Sequence, residues 1–131
     1  MPHIIVEYSG NLDDSLDIRA LIDALHQCAI DSRVADAAAI RTRAERRDVF
    51  RVAGDNPANA FVHIVARLRI GRSEEQRRTL ADALLAVTNQ HLRRADGTHP
   101  LAITVEIEEI DNITARRNSI RTVLPSITEA G

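Results

Sequence analysis

Phe61–Gln76, FVHIVARLRIGRSEEQ, reads as a strand that runs directly into a helix. Val62, Ile64, Ala66, Leu68 and Ile70 fall on one side of an extended chain, and His63, Arg67 and Arg69 fall on the other. The alternation stops at Gly71. Ser73 and Gln76 then stand at the spacing of a reciprocal capping box, and Leu80, Leu84, Val87 and Leu92 continue as a helical stripe to about Arg94. The tract ADGTHP, Ala95–Pro100, ends that helix. Leu101–Ile107 alternates again, with Ile103, Val105 and Ile107 inward. The unit is strand–helix–strand.

Upstream the same plan appears. His3–Tyr8, HIIVEY, is a β-branched strand. Asn11 is the expected N-cap of a helix from Asp14 to about Asp31, whose apolar stripe is Ile18, Leu21, Ile22, Leu25 and Ala29. From Ala38 to Val52 the pattern is extended, with Ile40, Thr42 and Ala44 alternating with Arg41, Arg43 and Glu45, and a bend or bulge splitting the stretch. The turn tract GDNPAN, Gly54–Asn59, joins the halves. The expected organisation is one domain: residues 1–53 as a first β-α-β unit, 60–111 as a second, and 112–131 as a C-terminal short helix, arm or tail.

Two fused β-α-β units make an α+β fold, a mixed sheet with both helices on one face. Right-handed crossovers make the two strands of each unit parallel. Apolar residues on the uncovered face, with no helix left to cover them, predict a partner subunit.

Composition narrows the function. The chain has 131 residues, 44% of them apolar, enough for one core, but only 2% aromatic, so that core is aliphatic. A net charge of −2 points away from nucleic acid and from acidic membranes. All seventeen basic residues are arginine, so an arginine cluster such as Arg43, Arg46, Arg47 and Arg51 is weak evidence of any partner. The single cysteine, Cys28, excludes an internal disulfide; it is expected to pack within its helix, and it fits a reducing compartment. No apolar run is long enough to span a bilayer and no signal-peptide pattern opens the chain, so a cytoplasmic location is expected. The histidines, His3, His26, His63, His91 and His99, lack metal-ligand spacing, and Glu106, Glu108, Glu109 and Asp111 read as a solvated strand edge.

The candidate chemistry sits at the start. Initiator methionine is normally removed when proline follows, which makes Pro2 the terminus and turns its nitrogen from an amide into a secondary amine. Such an amine titrates near pH 8, and desolvation or neighbouring arginines lower that value toward working pH. If the strand holding Arg41 runs parallel to the first, Pro2 and Arg41 lie at one end of the sheet. If the third strand runs antiparallel to the first, Arg72, at its junction with the second helix, returns to the same end. The helix start adds partial positive charge. The result is an amine base between two guanidinium groups, suited to a substrate with carboxylates at two points.

The blocks PHIIVEYSGNL, IRTRA (Ile40–Ala44), AFVHI (Ala60–Ile64), GRS (Gly71–Ser73) and VEIEEID (Val105–Asp111) resemble, in order and spacing, the 5-carboxymethyl-2-hydroxymuconate isomerases of the tautomerase superfamily. The resemblance implies two fused β-α-β units of the tautomerase fold, a homotrimer, no cofactor, and a small-molecule carboxylate substrate. It implies Pro2 as the catalytic proton shuttle and Arg41 and Arg72 as substrate-binding residues. The implied reaction is keto–enol tautomerisation of a 2-hydroxymuconate-type dienol, foremost 5-carboxymethyl-2-hydroxymuconate, to its 2-oxo isomer in aromatic-compound catabolism. Which arginine holds which carboxylate is left open. The alternative is a noncatalytic trimer of the same fold that binds a small anionic ligand or a partner.

Overall fold

The computed structural model describes residues 1–92 and 100–121. In chain order it has β1 (His3–Ser9), α1 (Ile18–Asp31), β2 (Arg41–Arg47), β3 (Ala60–Arg69), α2 (Glu74–Gln90) and β4 (Leu101–Ile110). Short 3₁₀ turns lie at Gly10–Leu12 and Ala37–Ala39. The expected end of the second helix at Arg94, most of the turn tract after it, His99 and the tail beyond Arg121 lie outside the described residues.

The four strands form one sheet in the order β2-β1-β3-β4. β1 pairs parallel with β2 and antiparallel with β3, and β3 pairs parallel with β4. The parallel pairs are the two β-α-β units, joined edge to edge through β1 and β3. Ile4, Val6 and Tyr8 of β1 and Val62, Ile64, Ala66 and Leu68 of β3 project to one side. There they meet Leu21, Leu25 and Ala29 of α1 and Leu80 and Leu84 of α2 in a buried aliphatic core. Burying each large aliphatic side chain stabilises the fold by roughly 1.5–3 kcal/mol.

Local chemistry sets the element ends. Ser73 and Gln76 form the capping box in full: the Ser73 Oγ accepts from the Gln76 amide at 3.1 Å, and the Gln76 Oε1 accepts from the Ser73 amide at 2.9 Å. Gly71, at φ 121°, makes the turn between β3 and α2 in a conformation that side chains disfavour. The start of α1 differs from expectation. Its N-cap is Asp17, whose Oδ1 accepts from the Ala20 amide at 3.1 Å, and the helix begins at Ile18 rather than Asp14. Asn11 instead ties down the inter-unit turn, its Nδ2 donating to the carbonyls of Pro57 and Asn59. The extended stretch after Ala38 is shorter than expected: Ala37–Ala39 coils, and the strand stops at Arg47. On α2 the fully buried position is Thr88 rather than Val87. Its hydroxyl donates to the Leu84 carbonyl at 2.8 Å, which removes the cost of burying it.

The opposite face of the sheet carries more charge than a surface awaiting an apolar partner. Ile5 and Val65 lie there half-buried, but around them His63 sits between Glu7 and Glu106, Arg47 pairs with Glu7 and Glu45, and Arg67 pairs with Glu108. The acidic run on β4 is thus ion-paired rather than simply solvated, with Glu109 reaching Arg77 of α2. The hydrogen bond to Glu106 foremost, with help from Glu7, raises the pKa of His63 above the ordinary imidazole value. A raised folded-state pKa contributes stability that is fully present below the unfolded value, near 6.5, and is lost as pH rises through the folded value. Replacing His63 with Gln is therefore expected to lower the melting temperature more at pH 5.5 than at pH 8, as thermal denaturation at both pH values will report.

Candidate active site

β1 and β2 begin side by side, and that register assembles the site. His3 is opposite Arg41, and one residue earlier the Pro2 carbonyl accepts from the Arg41 amide at 3.0 Å. The Pro2 ring is fully buried. Met1 lies outside it, its amine donating to the Ala39 carbonyl at 2.9 Å. The Arg41 side chain curls back to the same oxygen, Nη1 to Ala39 O at 2.8 Å. The terminal amine and the Arg41 guanidinium are thus held within the span of two hydrogen bonds sharing one acceptor. Burial foremost, and then the positive charges of Arg41, Arg116 and Arg69, lower the pKa of that amine below its ordinary value.

A cavity of about 350 Å³ opens at this corner. Met1, His3 and Arg41 form one wall, and the segment Thr114–Asn118, downstream of β4, forms the other. The segment is seated by Asn118, whose Nδ2 donates to the Ala38 carbonyl at 3.0 Å, and by a turn in which the Thr114 amide bonds to Asn112 O. The His3 Nδ1 lies 3.0 Å from Arg43 Nη1, and desolvation first, then Arg43, lowers the pKa of His3.

Of the three residues singled out from the sequence, Pro2 and Arg41 are brought together directly. Arg72 reaches the same end of the sheet, because the antiparallel β1–β3 pairing returns the end of β3 to the start of β1. Its side chain, however, faces the helix layer: Nη2 donates to the Val34 carbonyl and Nη1 to Arg69 O at 3.4 Å, and it does not line the cavity. Two guanidinium bonds spent on backbone carbonyls leave further N–H donors on that fork. The cations whose charge reaches the terminal amine are Arg41, Arg116 and Arg69. Arg116 and Arg69 were not foreseen as site residues. Arg69 was legible only as a polar-face residue of its strand, and Arg116 sits in a segment with no periodicity.

Comparison with known proteins bears on this arrangement. The family model of 5-carboxymethyl-2-hydroxymuconate isomerase matches residues 2–124. The chain is 29% identical over 110 residues to a 5-carboxymethyl-2-hydroxymuconate Delta-isomerase from Escherichia coli, covering 84% of this chain and 87% of that one. Among solved structures it is similar to a 5-carboxymethyl-2-hydroxymuconate isomerase from Deinococcus radiodurans R1, with TM-score 0.83, 30% identity and 90% of each chain covered. It shares its fold with a fused 4-OT described as a symmetric trimer, with TM-score 0.66 and 22% identity over 93% of this chain and 96% of that one. By sequence over nearly its whole length, and by fold, the chain belongs to the 5-carboxymethyl-2-hydroxymuconate isomerase family and is an isomerase of the tautomerase superfamily.

Proposed function

We propose that this isomerase converts a 2-hydroxymuconate-type dienol, foremost 5-carboxymethyl-2-hydroxymuconate, to its 2-oxo isomer, with the Pro2 nitrogen as proton carrier after loss of Met1. The observation that carries this reading is the shared Ala39 carbonyl, which holds the chain's amino end against Arg41 in a corner that lowers an amine's pKa. Once Met1 is gone, the space it fills joins the cavity and the Pro2 nitrogen becomes the amine at the cavity wall.

The neutral secondary amine accepts the proton of the 2-hydroxyl group, leaving a dienolate. The resulting prolinium delivers that proton to a carbon further along the conjugated chain, and the amine is regenerated. A rigid ring on a paired strand presents the nitrogen with very few rotors, so little entropy is lost in aligning it. One arginine holds the 2-hydroxy acid end and steadies the charge developing on its oxygen; the other holds a distal carboxylate. We assign these roles to Arg41 and Arg72: Arg41 lines the cavity, and Arg72, held at the same end of the sheet on the Val34 carbonyl, must turn its remaining N–H donors toward the substrate to fill the second. The printed names of the Escherichia coli and Deinococcus radiodurans relatives support the choice of substrate. The symmetric-trimer relative supports a homotrimer, with the sheet's mixed charged and apolar face as the surface that neighbouring subunits meet.

The test is spectroscopic: ketonisation of 2-hydroxymuconate and of its 5-carboxymethyl derivative, with and without enzyme, across pH. Acceleration of the derivative with a rising limb below pH 8 is expected; no acceleration of either acid would overturn the reading. Arg41→Ala is expected to lower kcat/KM by about 10- to 150-fold, the size of a charged hydrogen bond worth roughly 1.5–3 kcal/mol. The same change should leave the fold intact, as circular dichroism will check, because the Arg41 backbone keeps its place in the sheet.

A further inference from the structure

We propose that Arg116 binds one carboxylate of the substrate, and that this additional cation makes the site select a tricarboxylate over a dicarboxylate. The inference rests on the isomerase reading above and deepens it.

The cavity beside Met1 has a wall that the β-α-β units do not supply. Thr114–Asn118 closes it from outside the sheet, and brings Arg116 and Arg117 to face His3 and Arg41. Among the described residues no Asp or Glu lines this cavity. Several of the chain's arginines elsewhere find carboxylates: Arg46 meets Asp13, Arg47 meets Glu7, Arg67 meets Glu108 and Arg78 meets Glu74. Arg41, Arg116 and Arg117 form no ion pair among the described residues. Guanidinium groups gathered around one concave space without a counter-charge define a site for a polyanion.

The wall is built rather than draped. The Ile113 amide bonds to the Asp111 Oδ1 at 2.9 Å and the Ile120 amide to the Asn118 Oδ1 at 2.8 Å. Asn118 in turn anchors to Ala38, next to the Ala39 carbonyl that holds the amino end. The backbone on both sides of Arg116 is thus held, and its exposed side chain stands at the cavity wall. Of the two arginines there, Arg116 is the one whose field reaches the terminal amine. Under the proposed function two carboxylates fall to Arg41 and Arg72, the latter from outside this cavity's lining. A dienol bearing a carboxymethyl branch carries a third, and Arg116 supplies its counter-charge on the side of the cavity away from the sheet.

The experiment compares wild type, Arg116→Ala and Arg116→Lys on 5-carboxymethyl-2-hydroxymuconate and on 2-hydroxymuconate, at constant ionic strength. Arg116→Ala is expected to lower kcat/KM for the tricarboxylate about tenfold, mostly through KM, and for the dicarboxylate less than about threefold; lysine should restore part of the loss. An equal loss on both acids, or none on either, would overturn the assignment. If wild type turns over neither acid, it is the reading of the substrate that fails. Arg116 is then judged by calorimetric titration with propane-1,2,3-tricarboxylate and glutarate. A wild-type preference for the tricarboxylate that disappears in Arg116→Ala sustains the assignment. No preference in wild type, or a preference that survives the substitution, refutes it.

Discussion

Enzyme that keeps Met1 is expected to lose at least about a hundredfold in kcat/KM relative to enzyme that begins at Pro2, the range over which positioned proton transfer contributes. With Met1 in place the Pro2 nitrogen is a tertiary amide and has no basicity. The only amine at this corner is then that of Met1, a residue further out and bonded to the Ala39 carbonyl. Met1 also occupies part of the cavity wall that a substrate would approach. Both effects act in the same direction, one on the base and one on access. Mass spectrometry of the amino terminus sorts the two preparations before assay, and equal rates from both would remove Pro2 from the chemistry.

The second large effect concerns the core. Leu84→Ala is expected to destabilise the fold by about 2–5 kcal/mol, lowering the melting temperature by roughly 10 °C or more. Leu84 is fully buried on α2, one turn before Thr88, whose hydroxyl bonds to the Leu84 carbonyl. The substitution keeps the helix and that bond but leaves a hole among aliphatic side chains of fixed shape. With only 2% aromatic residues in the chain, the side chains around the hole are mainly aliphatic, Tyr8 being the one ring in the buried core cluster. Thermal denaturation at fixed protein concentration measures it, since assembly would make the midpoint depend on concentration. A loss under 1 kcal/mol would mean that the helix layer is packed less closely than the burial of Leu80 and Leu84 implies.

Much of this architecture is legible in the residues because period and packing agree. Val62, Ile64, Ala66 and Leu68 alternate in the sequence and are buried together, and Leu21, Leu25 and Ala29 do the same at helical spacing. The capping box at Ser73 is a purely local device and forms as its spacing demands. Errors arise where a distant partner decides. Asn11 has the chemistry of an N-cap, but the carbonyls of Pro57 and Asn59, across the sheet's end, claim its amide. A local bond can mislead as well: Val87 is the expected stripe residue, yet Thr88 takes the fully buried position because its hydroxyl turns back on its own helix.

The site divides in the same way. Strand register is enough to bring Pro2 beside Arg41, because parallel pairing is a consequence of the crossover. The direction of the Arg72 side chain is set by the Val34 carbonyl, which no spacing rule foretells. Arg116 is invisible from sequence because its place depends on one hydrogen bond between Asn118 and Ala38, eighty residues apart.

The central claim is that this corner turns a proline nitrogen into a base, and the pKa of that nitrogen tests it most directly. The chain has four prolines, of which Pro57, Pro100 and Pro125 carry amide nitrogens that do not titrate. ¹⁵N NMR of proline-labelled, Met1-free enzyme should therefore show one titrating resonance, with its midpoint below the ordinary amine value of about 8 and coincident with the rising limb of kcat/KM. A midpoint above that value, or a rate profile that ignores the midpoint, would contradict the account.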